Sequence, residues 1–551
     1  MKTTRLAAAI AAAGVMAAAG AYAADAAPRP ERVLWGDEHV HTGWSADAGL
    51  GGATLGPQDA VRFALGEAVT SSSGQNAKLQ VPLDWVAVTD HSDGMGTINE
   101  LQAGNAEFMA DPTAKRWYEM MKQGGEAGRA ALIEAVSAQS NHQLPKVFMD
   151  PKWMVSAWTK TIDIMERYNQ PGKFTAFTAY EWTSNGDGGD NLHRNVILRD
   201  DGARGRQVLP LTTFQSPDPA TLWQWLANYE TKTGGQALAI PHNGNLNGVA
   251  KTPGMINTEY AREALKSGMR IQNTLGVNPF TIGAAGGTDT HNALSAPIEN
   301  NFWGKFVASE PSAGRWDAVY KKDTAGFVRK DWTQSAQGYT GVWATANTRE
   351  AIWDAMKRRE TYASSGPRIL VRFFGGYTFK DADAKADKLV AAGYARGVPM
   401  GGELKGGARK TPTFLIAAMK DPAGANLDRA QIVKGWVDAA GNTHEAIYDV
   451  AWSDAGKRKP VNGKLPPVGD TVDLTTATYR NSIGASELIG RFEDPNFDPQ
   501  QRAFYYVRVL EIPTPRWTAY DAVRYKATMT PDVTMKLQER AVTSPIWYDP
   551  A

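Results

Sequence analysis

Histidine placement constrains this chain more than any other feature. There are 8 histidines among 551 residues: His39, His41, His91, His142, His193, His242, His291 and His444. Six of them sit in one kind of position, at or just after the end of a short apolar run. Val33-Leu34-Trp35 leads into Gly36-Asp37-Glu38-His39-Val40-His41-Thr42, and the run 85–88 leads into Thr89-Asp90-His91. The run 174–180 ends in Glu181, with His193 soon after; 237–241 ends in His242-Asn243-Gly244; and 281–287 ends in Thr288-Asp289-Thr290-His291. In an extended segment alternate side chains share a face, so His39 and His41 point one way and Val40 the other. Asp289 and His291 repeat that spacing. Neutral imidazole is the commonest protein metal ligand, and packing alone does not explain so many donors at run ends. His142 follows a Gln-Ser-Asn run and His444 a Gly-Asn turn, so both are expected at the surface.

Short, buried-looking strands separated by long stretches of helical periodicity predict βα units. Val61, Ala64, Leu65 and Val69, for example, fall on one face of a helix expected over 60–69. In a parallel β/α barrel the chemistry sits where the strands end. A donor set of imidazole and carboxylate without thiolate suits Zn, Mn or Fe in the divalent state. Two such ions, about 3.5–4 Å apart, can clamp an ester while a hydroxide attacks in line. Asp37 and Asp90 are placed to orient ligand imidazoles. Arg194, beside His193, is a candidate partner for a phosphate, because a guanidinium meets two oxygens at once. Asn243 and Asn292 either donate to a substrate or shape turns.

The succession His39-x-His41, Asp90-His91, Glu181, His193, His242 and Asp289-x-His291 resembles the metal-site motifs of the PHP (polymerase and histidinol phosphatase) superfamily. The segments 34–42, 287–292 and 508–517 are similar to its exported branch of unknown function. The resemblance spans nearly all of the chain after its first residues. It implies a distorted seven-stranded β/α barrel holding two or three divalent ions and hydrolysing phosphoric esters. By motif, His39, His41, Glu181 and Asp289 would hold one ion, Glu181, His193 and His242 a second with Glu181 bridging, and His91 and His291 a third. Some relatives carry a further His shortly after the first motif; here Asp47 is the nearest candidate. Glu181, Asp289 and Arg194 are the expected catalytic residues. The resemblance also implies a longer segment before the Asp-x-His motif than residues 244–288 provide, which bears on substrate access.

Lysine and arginine total 59 against 58 acidic residues, a net charge of +1. That balance argues against a nucleic-acid binder working through a basic surface. Lys2 and Arg5 precede an apolar run over 6–19, and Ala21-Tyr22-Ala23 offers a small-x-small cleavage pattern. A signal peptide over 1–23 is therefore expected, with no membrane span after its removal and a periplasmic or secreted protein. There is no cysteine, so neither a lipid-anchored cysteine nor a disulfide is available. Residues 30–366 read as the barrel. From 367 to 551, strand-like runs at 369–374, 413–418, 432–437, 446–452 and 504–512 alternate with Gly-, Pro- and Asp-rich turns, which predicts a β-rich, sandwich-like C-terminal domain. The expected activity is hydrolysis of a small-molecule phosphoric ester by metal-bound hydroxide. Hydrolysis of an amide, carbamate or sulfate ester, and metal binding without catalysis, are the alternatives.

Overall fold

The computed structural model describes residues 29–123, 125–141, 143–186, 190–241, 260–322, 328–334, 338–406 and 410–550. The expected signal peptide, His142, His242 and Asn243 lie outside the described residues.

The chain is a mixed α/β protein organised by one large sheet. Strand β1 (Val33–Val40) is buried at every position. Parallel to it run β2 (Trp85–Val88) and, next along, β3 (Thr175–Phe177). Parallel strands covered on both faces need apolar side chains on both, which is why these segments show no polar alternation. Gly36 lies against Trp85, and a Cβ there would stand 2.1 Å from the Trp85 ring. After one residue, Thr178, the chain leaves the large sheet. Strands β4 (Ala179–Trp182), β5 (Arg194–Leu198) and β6 (Ala237–Pro241) form a separate antiparallel sheet in the order β6-β5-β4. A bridge between His91 and Glu181 ties this small sheet to the end of β2.

Helices α1 (Pro57–Ala64) and α2 (Pro151–Tyr168) pack on β2 and β3, and α3 (Pro219–Thr233) packs on β6. Each starts with proline, whose missing N–H costs nothing at a helix start. Asp150 and Asp218 cap α2 and α3 through their side chains. The expected helix over 60–69 is displaced: α1 starts at Pro57 and ends before Gly66, which takes a left-handed φ of 82°.

Beyond α4 (Ala261–Leu275), the run 281–287 forms no strand, contrary to expectation. Gly283, Gly286 and Gly287 offer a strand no side chains to pack, and the backbone bonds to side chains instead. Ala284 N donates to Ser544 Oγ (2.8 Å), Gly286 N to Thr340 Oγ1 (2.8 Å) and Thr288 N to Asp37 Oδ1 (3.0 Å).

Strand β7 (Tyr339–Trp343) lies antiparallel to β1 on its other side, helix α5 (Arg349–Lys357) follows with Thr348 as its cap, and β8 (Thr361–Ser364) pairs with β7. The C-terminal strands are β9 (Leu370–Gly376), β10 (Gly397–Pro399), β11 (Glu403–Lys405), β12 (Thr413–Met419), β13 (Leu427–Val437), β14 (Thr443–Trp452), β15 (Glu487–Glu493), β16 (Ala503–Glu511), β17 (Arg540–Thr543) and β18 (Ile546–Asp549), with α6 (Trp517–Tyr525) before β17. The large sheet has 11 strands in the order β11-β18-β16-β17-β8-β7-β1-β2-β3, and β13 joins it along β16 with β14 outside. A second C-terminal sheet, β10-β9-β12-β15, packs face to face on it. Val371, Phe373, Phe414 and Ile416 share one apolar cluster with Ile432, Tyr505, Val507 and Val509. That is the expected sandwich-like packing.

Two expectations need qualification. No closed ring of hydrogen-bonded strands is present among the described residues, because β1 is flanked by antiparallel β7 and the glycine-rich run supplies no strand. Across the division expected at 366, β8 pairs with β17 through Tyr362, Ala363 and Ser364, so both parts share one sheet.

Candidate metal centre

Strand β1 brings His39 and His41 to its end with their Nε2 atoms 3.0 Å apart, while Val40 points into the core. The segment 289–291 docks beside them. Asp289 N donates to His39 O (2.8 Å) and His41 N to Thr290 O (2.8 Å). Gly287 permits that approach, since a Cβ would lie 2.6 Å from His39 Cβ. Asp289 adopts a left-handed φ of 50°, a conformation that aspartate takes more readily than most non-glycine residues.

Asp37 and Asp90 do not orient imidazoles, as the sequence led us to expect; they hold main chain. Asp37 accepts from His39 N (3.0 Å), Thr288 N (3.0 Å) and Thr288 Oγ1 (2.6 Å). Asp90 accepts from Thr42 N (2.6 Å) and Thr42 Oγ1 (2.7 Å). Burial pushes both carboxyls up to about 6, and it pushes Glu38, which accepts from Thr340 Oγ1, up to about 7. The rings have other partners. His41 Nδ1 meets Ser45 Oγ at 3.0 Å, His291 Nδ1 donates to Asp289 O at 2.9 Å, and His91 Nδ1 contacts Thr183 Oγ1. Asn292 is fully buried, donating to Trp303 O (2.9 Å) and accepting from Leu294 N (3.2 Å), so it shapes the turn.

At the centre stands Glu181, fully buried on β4. One oxygen lies 3.5 Å from His39 Nε2 and 3.2 Å from His193 Nδ1, the other 3.5 Å from His41 Nε2 and 2.9 Å from His91 Nδ1. Neither oxygen gains a hydrogen bond of good geometry among the described residues, although a buried carboxylate without such partners is costly. Burial raises the Glu181 pKa, but His91, His193 and His39 outweigh it and hold the group well below the usual carboxylate range. Asp47 Oδ2 faces His91 Nε2 (3.1 Å) and His291 Nε2 (2.7 Å), and those imidazoles likewise hold it low against its burial. Burial drives His41 down to about 3, keeping its ring neutral, the form that ligates metal.

The donor atoms fall into three groups with all members within 4.8 Å of one another: His41, Asp47, His91 and His291; His39, His41 and Glu181; and His91, Glu181 and His193. Asp289 Oδ1 adds to the second, 3.4 Å from both His39 Nε2 and His41 Nε2. Nitrogen and oxygen donors, and a central carboxylate whose two oxygens face different imidazoles, fit a set of divalent ions. Asp47, expected only as the nearest stand-in for a missing histidine, joins His91 and His291.

Residues 28–250 and 247–550 match the sequence profile of a family described as "Protein of unknown function (DUF3604)". The chain belongs to this family. No curated protein matches it. One solved structure, a two-domain protein from Bacteroides vulgatus described as containing a predicted PHP-like metal-dependent phosphoesterase, is similar over 92% of this chain and 94% of its own, with 11% identity and a TM-score of 0.28.

In this DUF3604 protein the register of the small sheet places Arg194 opposite Trp182, and Asn195 opposite Glu181. Directly opposed residues share a face, so Asn195 lies on the Glu181 side. Arg194 donates to His193 O (2.8 Å), and no carboxylate among the described residues pairs with it. Sequence reasoning missed three residues. Ser45 Oγ touches His41 Nδ1, donates to Asp47 Oδ1 (3.0 Å) and accepts from His91 N (3.2 Å). Asn195 is buried with an unpartnered Oδ1. Lys305, buried, pairs with Asp289. Only Ser45 carried a signal, two positions before Asp47; the other two are brought in by tertiary approach alone.

Proposed function

We propose that this protein is an exported, multinuclear metal-dependent hydrolase of a small-molecule phosphoric ester. The observation that carries the reading is Glu181, a buried carboxylate whose oxygens face four imidazoles from three segments of the chain. His39, His41, Glu181 and Asp289 would hold one ion, and His91, His291 and Asp47 another. Glu181 and His193 would contribute to a third position, to which His242, outside the described residues, would add. Divalent ions bound there would polarise the ester and acidify a water.

The chain's own residues set the geometry for that chemistry. Asp37 and Asp90 fix the backbone at His39, Thr288 and Thr42, within or beside the two histidine motifs. Ser45 holds His41 and Asp47 together. Arg194, the first residue of β5, lies on the Trp182 face rather than the Glu181 face, so its guanidinium would reach an anionic oxygen of the substrate only around the edge of the small sheet. The resemblance to PHP enzymes supports the phosphoric ester, and the apolar run with its Ala21-Tyr22-Ala23 end supports export. The α/β part over 30–366 and the β-rich part over 367–551 are read as two domains sharing one sheet.

The test is a substrate panel of phosphomonoesters, phosphodiesters, sulfate esters and amides, run on protein stripped by chelator and reloaded with Mn²⁺ or Zn²⁺. Turnover of a phosphoric ester is expected, with a loss of at least about 100-fold in Glu181→Gln, beyond what loss of an outer partner costs. Turnover confined to amides or sulfate esters would overturn the substrate class. Equal activity in Glu181→Gln would overturn the site.

A further inference from the structure

Lys305 stands out among the charged groups near the centre because it is a cation. It is only 9% exposed. Its ammonium pairs with Asp289 Oδ2, while Oδ1 of the same carboxylate faces His39 Nε2 and His41 Nε2, each at 3.4 Å. The main chain of Lys305 is anchored as well. Its carbonyl accepts from His291 N (2.6 Å), and its N–H donates to Ser309 Oγ (3.2 Å). Gly304, at φ 80°, brings the loop so close that a Cβ would lie 2.2 Å from Ser309 O. The next residue, Phe306, packs its ring on His291 with centroids 4.5 Å apart. One short loop segment therefore grips Asp289 by its side chain and His291 by its backbone and ring.

An ammonium beside a site that gathers cations is unfavourable by simple electrostatics, the more so where water is scarce. A buried charge is retained there at a cost that orientation of Asp289 can offset. A carboxylate can ligate through one oxygen or two, and the ion pair with Lys305, on a loop whose backbone is bonded to His291, fixes which oxygen of Asp289 faces the imidazoles. We infer that Lys305 is a positioning residue: by holding Oδ2 it reserves Oδ1 as the single oxygen of Asp289 that an ion can use.

This rests on the metal reading above, and the experiment separates the two. Wild type, Lys305→Met and Lys305→Arg are stripped by chelator, loaded with Co²⁺, and compared by Co²⁺ content and visible absorption, whose ligand-field bands weaken as coordination number rises. Lys305→Met is expected to take up as much Co²⁺ as wild type, with weaker bands, because the freed Oδ2 enters the coordination sphere. Its turnover of a phosphoric ester should fall about 10–100-fold, as for loss of other residues that orient a ligand. Lys305→Arg, which keeps the cation, should give the wild-type spectrum. Lys305→Leu is read in the same way as the Met variant if the latter does not fold. A Met or Leu spectrum superimposable on wild type at equal Co²⁺ content would overturn the inference and leave the metal reading standing. Wild type that takes up no Co²⁺ would overturn both.

Discussion

Buried charge is handled in two ways in this molecule. In the C-terminal part several buried charges are met by the opposite charge. Lys434 on β13 pairs with Asp494 at 2.6 Å, both almost fully buried, and Asp494 also accepts from Tyr505 Oη at 2.7 Å. Asp428 is shared by Arg429 (3.0 Å) and Arg458 (2.7 Å). At the ends of β1, β2 and β4, carboxylates instead gather around imidazoles, and the central acid, Glu181, lacks a well-formed hydrogen bond among the described residues. Complete pairing is what a stable interior requires. A crowd of donors that leaves its central acid unsatisfied is what a site for cations requires. The contrast divides the two regions although β1, β2 and β13 belong to one sheet.

The sharpest way to break the comparison is Lys434→Met. It strands Asp494 in the interior and should destabilise the protein by about 3–5 kcal/mol, measured by denaturant unfolding, while metal bound per folded molecule stays at the wild-type level. Metal loss in this variant would show that the two regions are not independent. Ser45→Ala should do the reverse. It removes one hydroxyl shared by His41, Asp47 and His91, costs only about 1 kcal/mol of stability, and lowers metal affinity about 10–100-fold by titration.

Much of this was legible before the fold was known. The pair His39/His41 and the acid Glu181 could be read because strand alternation and abrupt run ends are local properties, whereas Asp289 and His291 were picked out by the repeated spacing although no strand forms there. The C-terminal strands were legible for the same reason; 413–418, for example, is found as Thr413–Met419. The run 281–287 misled because apolar composition resembles a strand even when three glycines remove its packing. Lys305 and Asn195 were invisible, since Lys305 meets Asp289 only through the turn at Gly304, and Asn195 meets Glu181 only through the register of β4 and β5. The roles of Asp37 and Asp90 were misread because sequence proximity to a histidine does not say whether a carboxylate meets the ring or the backbone.

A smaller effect tests the C-terminal part by pH. Burial, with Glu299 nearby, pushes Glu539 up to about 8; its surroundings include Arg516, Arg540 and Ser365, and burial pushes Glu299 up to about 7. A carboxyl whose pKa is raised on folding contributes stability that is full below its unfolded value and is lost as pH rises through the folded value. Glu539→Gln should therefore gain on wild type progressively as pH rises from about 5 to about 8. A stability difference that is flat with pH, followed by thermal unfolding, would contradict this. The smallest effect belongs to His444, which pairs with Asp438 at 2.7 Å and stacks on Trp436 at the surface. His444→Gln should change stability by less than about 1 kcal/mol and leave metal content unchanged, unlike any change at the six motif histidines.

The central claim is that the buried cluster around Glu181 holds divalent metal, and equilibrium metal binding tests it most directly. Chelator-stripped wild type, Glu181→Gln and His444→Gln are titrated with Mn²⁺ and Zn²⁺ and their bound metal is counted by elemental analysis. Wild type and His444→Gln are expected to bind two or three ions per chain with the same affinity, while Glu181→Gln remains folded by circular dichroism and loses most of that metal. Full and equally tight occupancy in Glu181→Gln, or no bound metal in wild type, would contradict the account.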